Sequence, residues 1–87
     1  MTPLRAPTTA WRVIEGEAVI LTMDTKLLCG LNTVGSRVWE LIDGRRDVEQ
    51  IAEVIAREFR VEPERARADV RAFLQQLADK GLVTFGS

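Results

Sequence analysis

Residues 17–42, EAVILTMDTKLLCGLNTVGSRVWELI, contain the point where one periodicity gives way to another, and with it the fold class. In Glu17 to Met23 apolar and β-branched residues cluster without a helix cap. Gly16 on one side and Asp24-Thr25-Lys26 on the other supply turns, so the segment reads as a strand. Leu27 to Leu31 gives a further short strand. From Asn32 the spacing changes. Either Asn32 or Thr33 can cap a helix in which Val34, Val38, Leu41 and Ile42 recur at three and four residues along one buried face. Trp39 falls at the margin of that face, and Asp43-Gly44 ends the helix.

Working outward, Trp11 and Val13 mark an earlier strand, so that three strands form an antiparallel meander. Residues 1–8 hold all but one of the prolines and little apolar content; they read as a flexible lead-in, and residues 9–87 as a single domain. Downstream, Asp47 and Gln50 form a capping-box pattern ahead of Val48, Ile51, Ala52, Ile55 and Phe59 at helical spacing. Pro63 opens a third helix in which Ala66, Val70, Phe73, Leu74 and Leu77 share a stripe, and Gly81 stops it. Leu82, Val83 and Phe85 then either pack back on that stripe or form a last short strand. Three strands followed by three helices is an α+β order, because a parallel α/β sheet would alternate the two.

The composition narrows the function classes. At 87 residues the chain makes one domain, and 46% hydrophobic with 29% charged residues is ordinary for a folded protein. A net charge of −1 with interleaved signs argues against nucleic-acid binding. No apolar run approaches the ~20 residues of a membrane span and no signal peptide opens the chain, so no membrane partner is expected and the cytoplasm is the expected location. Cys29 is the only cysteine and histidine is absent, which removes intrachain disulfides, the usual zinc sites and the commonest general base. No metal and no cofactor is expected, and the chain does not read as an enzyme.

The individual candidates point the same way. Asp24, Asp43, Asp47, Asp69 and Asp79 are scattered over turns, caps and solvent faces and form no acid/base pair. Cys29, between Leu28 and Gly30, reads as a small core thiol, since a reactive one needs a basic neighbour. Gly30 within a strand marks either a bulge or the close approach of another backbone. Arg57, Arg60, Arg65, Arg67 and Arg71 are interleaved with Glu58, Glu62, Glu64 and Asp69, which reads as a solvated, salt-bridged face. Arg67 and Arg71, one helical turn apart beside the apolar stripe, form a pair that can meet an acidic ligand.

The runs LNTVGSRVWELIDG, DVEQIAEVIAREF and ADVRAFLQQLADKGLV together resemble the PqqD-like superfamily, domains that bind leader segments of ribosomally made, later modified peptides. Leu31, Asn32, Gly35, Trp39, Gly44, Asp69, Val70, Leu74, Leu77, Gly81 and Leu82 fall where such domains carry those types. The pyrroloquinoline-quinone member usually has a proline-containing motif before the first helix; LLCGLN stands there instead, nearer to lasso-type or other stand-alone recognition domains. The resemblance implies a winged helix-turn-helix-like fold and a non-catalytic peptide chaperone. It also implies its partners: a precursor leader peptide, and a modifying enzyme such as a radical S-adenosylmethionine enzyme, or a leader peptidase.

Under that reading the leader adds as a strand beside Leu27, Leu28, Cys29, Gly30 and Leu31 and packs on the third helix. Val70, Phe73, Leu74 and Leu77 contribute to groove or core, and Arg67 and Arg71 stand at the rim. The alternative reading is a DNA-binding winged-helix regulator, whose third helix would enter the major groove. A third is an assembly domain that dimerises through its exposed strand, so monomer and homodimer both stay open.

Overall fold

A computed structural model describes residues 1–86. In chain order it contains β1 (Thr2–Arg5), β2 (Thr9–Ile14), β3 (Glu17–Thr22), β4 (Leu27–Gly30), α1 (Thr33–Leu41), α2 (Val48–Phe59), α3 (Pro63–Asp79) and β5 (Val83–Gly86). Glu15 and Gly16, at φ 52° and 81°, form the two-residue left-handed turn that keeps β2 and β3 in register. Four residues join β3 to β4, with Lys26 at φ 61°. The expected meander is thus present, as a sheet of order β2-β3-β4.

Residues 1–8 depart from the flexible lead-in expected of them. β1 pairs antiparallel with β5, Thr2 opposite Gly86 through Arg5 opposite Val83, and Pro3 is buried. A local scan reads prolines as breakers, but both strands of a two-stranded ribbon are edges, where a missing N–H is tolerated. Pairing with β1 also decides the fate of Leu82 to Phe85, which form a strand. Arg5 fixes β1 further: its guanidinium donates to the Trp39 carbonyl at 2.9 Å and to that of Glu40 at 3.2 Å, at the end of α1.

The caps follow the sequence closely. Asn32 Oδ1 accepts from Gly35 N–H at 2.7 Å, Asp47 and Gln50 complete the capping box, and Gly81 at φ 77° lets Leu82 N–H reach the Leu77 carbonyl. The core lies between β3 and the helices: Ala18 and Ile20 meet Val38, Trp39, Ile51, Ile55, Val70, Leu74 and Leu77. Two placements on α1 differ from expectation. Trp39 is fully buried instead of marginal, and Val34 is exposed. The buried stripe begins one residue later, at Gly35 and Ser36.

Ser36 ties α1 to the sheet. Its buried hydroxyl accepts from Ala18 N–H at 2.6 Å and donates to the Leu31 carbonyl at 3.3 Å. Ser36→Ala leaves both backbone groups without that partner, and we expect a loss of about 2 kcal/mol in urea unfolding; an unchanged midpoint would refute this.

Between α1 and α2, Arg37 grips Glu58 with two bonds of 2.8 and 2.9 Å. The hydrogen bond from Arg37 holds the Glu58 carboxyl below its ordinary range. Because the folded value lies below the unfolded one, the pair stabilises above the unfolded pKa and its contribution fades as pH falls through the folded value. Melting curves of wild type and Glu58→Gln should therefore converge in acid; a constant gap would show that the pair is not responsible.

Candidate functional site

β4 has β3 on one side and, among the described residues, no strand on the other. Leu31 N–H donates to the Ala18 carbonyl at 2.9 Å, in step with the β3–β4 register. Pair types alternate in an antiparallel ladder, so Leu27, Cys29 and Leu31 turn their backbone groups towards β3. Leu28 and Gly30 turn theirs to the free edge. Backbone alternation and side-chain alternation are separate: Leu27 and Cys29 lie on the helix-covered face with Ile20, Leu28 and Gly30 on the opposite face with Leu21 and Val19. Leu27 and Leu28 are 66% and 71% exposed.

β2 is equally an edge; β4 differs in being followed closely by residues that line a groove. From Asn32, two residues beyond β4, opens a groove of about 600 Å³ between the first turn of α1 and the first half of α3. Val38, Ile55, Ala66 and Val70 form its buried floor; Val34, Val61 and Phe73 form apolar walls. Arg60, Glu62, Arg65 and Asp69 rim it, with Arg65 Nε 3.6 Å from Asp69 Oδ2. The left-handed cap at Arg60, φ 54°, ends α2 and turns the chain across this end of the groove.

Phe73 is seated against a glycine. A Cβ at Gly35 would lie 2.9 Å from Phe73 Cζ and 3.0 Å from Asn32 Oδ1. Gly35→Ala gains helix propensity, about 1 kcal/mol, but must push the ring tip. We expect near-wild-type stability with Phe73 displaced into the groove, and an affinity loss of about tenfold for any guest that packs on it. Equal affinity in a peptide titration would show that the ring does not shape the site.

The structure divides the residues singled out from sequence. Leu27, Leu28, Cys29 and Gly30 form the free edge, with Cys29 half-buried, and Phe73 walls the groove. Gly30 sits in an unbroken register with open space around it, so the bulge reading falls away. Leu31, Leu74 and Leu77 are core, and Val70 reaches the groove only as floor. Arg67 and Arg71 do not rim this groove. They turn to α2, where Glu49 takes both, at 3.5 and 3.1 Å. Each of the three arginines on α3 is thus matched by a carboxylate, so among the described residues α3 presents no sustained positive face to phosphates. Val34, Val61, Arg60, Glu62, Arg65 and Asp69 line the groove without having been singled out from sequence as site residues. The signal available for part of them was the row Arg65, Asp69, Phe73, spaced by four on α3.

The model of the family described as "Coenzyme PQQ synthesis protein D (PqqD)" matches residues 17–83. TbiB1, solved in complex with the TbiA(beta) leader peptide, is 31% identical; the match covers 97% of this chain and 98% of that one, with a TM-score of 0.88. A lasso peptide synthetase B1 complexed with the leader peptide, 16% identical over 98% of this chain and all of the other, shares the fold at a TM-score of 0.87. A PqqD truncation of Methylobacterium extorquens PqqCD, a stand-alone recognition element for ribosomally synthesised, post-translationally modified peptides, gives 0.78 at 26% identity, over 95% of this chain and 88% of that one. The two leader-bound structures thus superpose more closely than the PqqD truncation does. No curated protein matches the sequence significantly. No helix among the described residues is long and apolar enough to cross a membrane.

Proposed function

The chain belongs to the PqqD family, and on that premise we propose that it captures the leader segment of a ribosomally made precursor peptide by strand addition to β4. One observation carries this reading: a free strand edge is followed, two residues on, by Asn32 in the lining of a groove with apolar floor and walls, in a fold that TbiB1 shares while holding a leader peptide. The magnitudes say why both parts are needed. Leu28 and Gly30 offer two N–H and two C=O groups, together worth about 4 kcal/mol at about 1 kcal/mol each. Ordering a free peptide costs about 2–5 kcal/mol, so backbone pairing alone roughly cancels. Apolar side chains on the inner face of the guest, lodged against Val34, Val61 and Phe73, supply the remaining affinity. The backbone sets position; the groove sets selectivity.

The chain then acts by binding. It presents the peptide in the cytoplasm to an enzyme that modifies it, such as a radical S-adenosylmethionine enzyme, or to a leader peptidase. The test is titration with a synthetic leader of the precursor encoded beside this chain, with the TbiA(beta) leader as second probe, followed through backbone amide shifts. Saturable binding with shifts in Leu27 to Leu31, Val34, Asp69 and Phe73 is expected. Absence of binding to both peptides, or shifts confined to Arg67, Arg71 and Glu49, would sink it; salt-sensitive DNA binding in its place would return the winged-helix regulator.

A further inference from the structure

β2 is the second open edge of the three-stranded sheet, and it is built to invite another strand. It runs for six residues, TAWRVI, with Trp11, Val13 and Ile14 exposed. A long apolar edge of this kind pairs with its own copies unless something prevents it. The hydrogen bonds show which backbone groups are on offer. Met23 N–H donates to the Thr8 carbonyl at 2.8 Å, in step with the β2–β3 register. Thr8, Ala10, Arg12 and Ile14 therefore turn their backbone groups to β3, and Thr9, Trp11 and Val13 turn theirs outward. Thr9 N–H is already taken, donating to the Ala6 carbonyl at 3.1 Å. Trp11 and Val13 remain, with two N–H and two C=O groups.

Two copies joined by a twofold axis would set β2 antiparallel to itself. Only one register engages all four groups of each copy: Trp11 opposite Val13 of the other, and Val13 opposite Trp11. Shifting it by two residues one way brings the occupied Thr9 opposite Val13. Shifting it the other way brings Glu15, held at φ 52° in the turn, opposite Trp11. In the complete register the axis passes through Arg12. The two arginines then face each other in the closely spaced, non-hydrogen-bonded pair, where side chains approach most and like charges repel. Arg12 is the one charge on β2 and has no ion-pair partner among the described residues.

The same residue stands in the way of the other edge-to-edge contact, β2 of one copy on β4 of the next, which does not close and would build filaments. Pairing Val13 with Leu28 and Trp11 with Gly30 places Arg12 opposite the half-buried Cys29, on the helix-covered face. A guanidinium there is stripped of water with no carboxylate beside it. We propose that Arg12 is the guard of the β2 edge: its charge keeps the domain monomeric and leaves β4 as the edge that accepts a strand. The inference stands on the sheet alone and does not need the guest of β4 to be a leader peptide.

The experiment measures the mass of the full chain by sedimentation equilibrium. Wild type should hold the monomer mass from about 10 μM to about 1 mM, whereas Arg12→Thr, which keeps strand propensity without the charge, should double in mass over that range. Arg12→Glu restores repulsion between identical copies and should be monomeric by itself. Mixed with wild type it sets opposite charges in the central pair, so the mixture should form a heterodimer. Adding Val13→Pro to Arg12→Thr removes an outward N–H without touching the β2–β3 bonds, and should return the monomer. Arg12 is exposed, and circular dichroism verifies that each variant is folded. A dimeric wild type would overturn the proposal. So would Arg12→Thr remaining monomeric at about 1 mM together with no association in the mixture, or a dimer of Arg12→Thr that survives Val13→Pro, which would place the contact elsewhere.

Discussion

Leu28→Pro is expected to weaken leader binding by about thirtyfold or more while leaving the domain folded. Leu28 directs its N–H to the free edge, so no bond of the β3–β4 ladder is lost when proline removes it. An edge position also tolerates the ring. A guest strand loses one bond outright, about 0.5–1.5 kcal/mol, and the ring at the edge disturbs the neighbouring bonds at Gly30; a total near 2 kcal/mol corresponds to about thirtyfold. Leu28→Ala is the control. It shortens a side chain that points away from the groove and keeps the N–H, so leader affinity should change by less than about threefold. Peptide titration by calorimetry, with circular dichroism to verify the fold, decides the matter. If the proline variant is folded and binds as wild type, strand addition at β4 is wrong.

Trp39→Ala should unfold much of the population near physiological temperature. The indole is fully buried at the junction of α1, the sheet and β1. Its ring meets Trp11 edge to face at 6.2 Å, and the Arg5 guanidinium lies 4.6 Å from the Trp11 ring centre and 5.5 Å from that of Trp39. Burial lowers the Arg5 pKa from its ordinary value, opposed by the charges of Asp43 and Glu40, which marks a partly desolvated seat. Truncating a large buried aromatic costs about 3–5 kcal/mol, against a total near the lower end of 5–15 kcal/mol for so small a domain. A fall in Tm of roughly 15–30 °C follows. Trp39→Phe should be far milder, because the indole N–H has no hydrogen-bond partner among the described residues to lose. Thermal melts of both variants test the pair, and an alanine variant within a few degrees of wild type would contradict the central place given to this ring.

The sequence alone determined what depends on near neighbours. Asn32, Asp47 with Gln50, and Gly81 start and stop helices through bonds that span a few residues, Pro63 opens one through its fixed φ, and all stand where the sequence places them. Glu15-Gly16 turns β2 into β3 for the same local reason, and the α+β order followed. The family resemblance then directed attention to β4 and α3, and the free edge is there.

Tertiary structure decided what depends on partners far along the chain. β1 is a strand only because β5, some eighty residues later, lies beside it; nothing within MTPLRAPT marks it. Trp39 is central because Arg5 and Trp11 close over it from other elements. Helical spacing told which residues of α3 share a stripe, but not which neighbour each flank meets. Arg67 and Arg71 therefore looked like a rim until α2 brought Glu49 to them, while Arg65, Asp69 and Phe73 turned to the groove. Periodicity fixes angles around one helix axis; only packing fixes what stands opposite each angle.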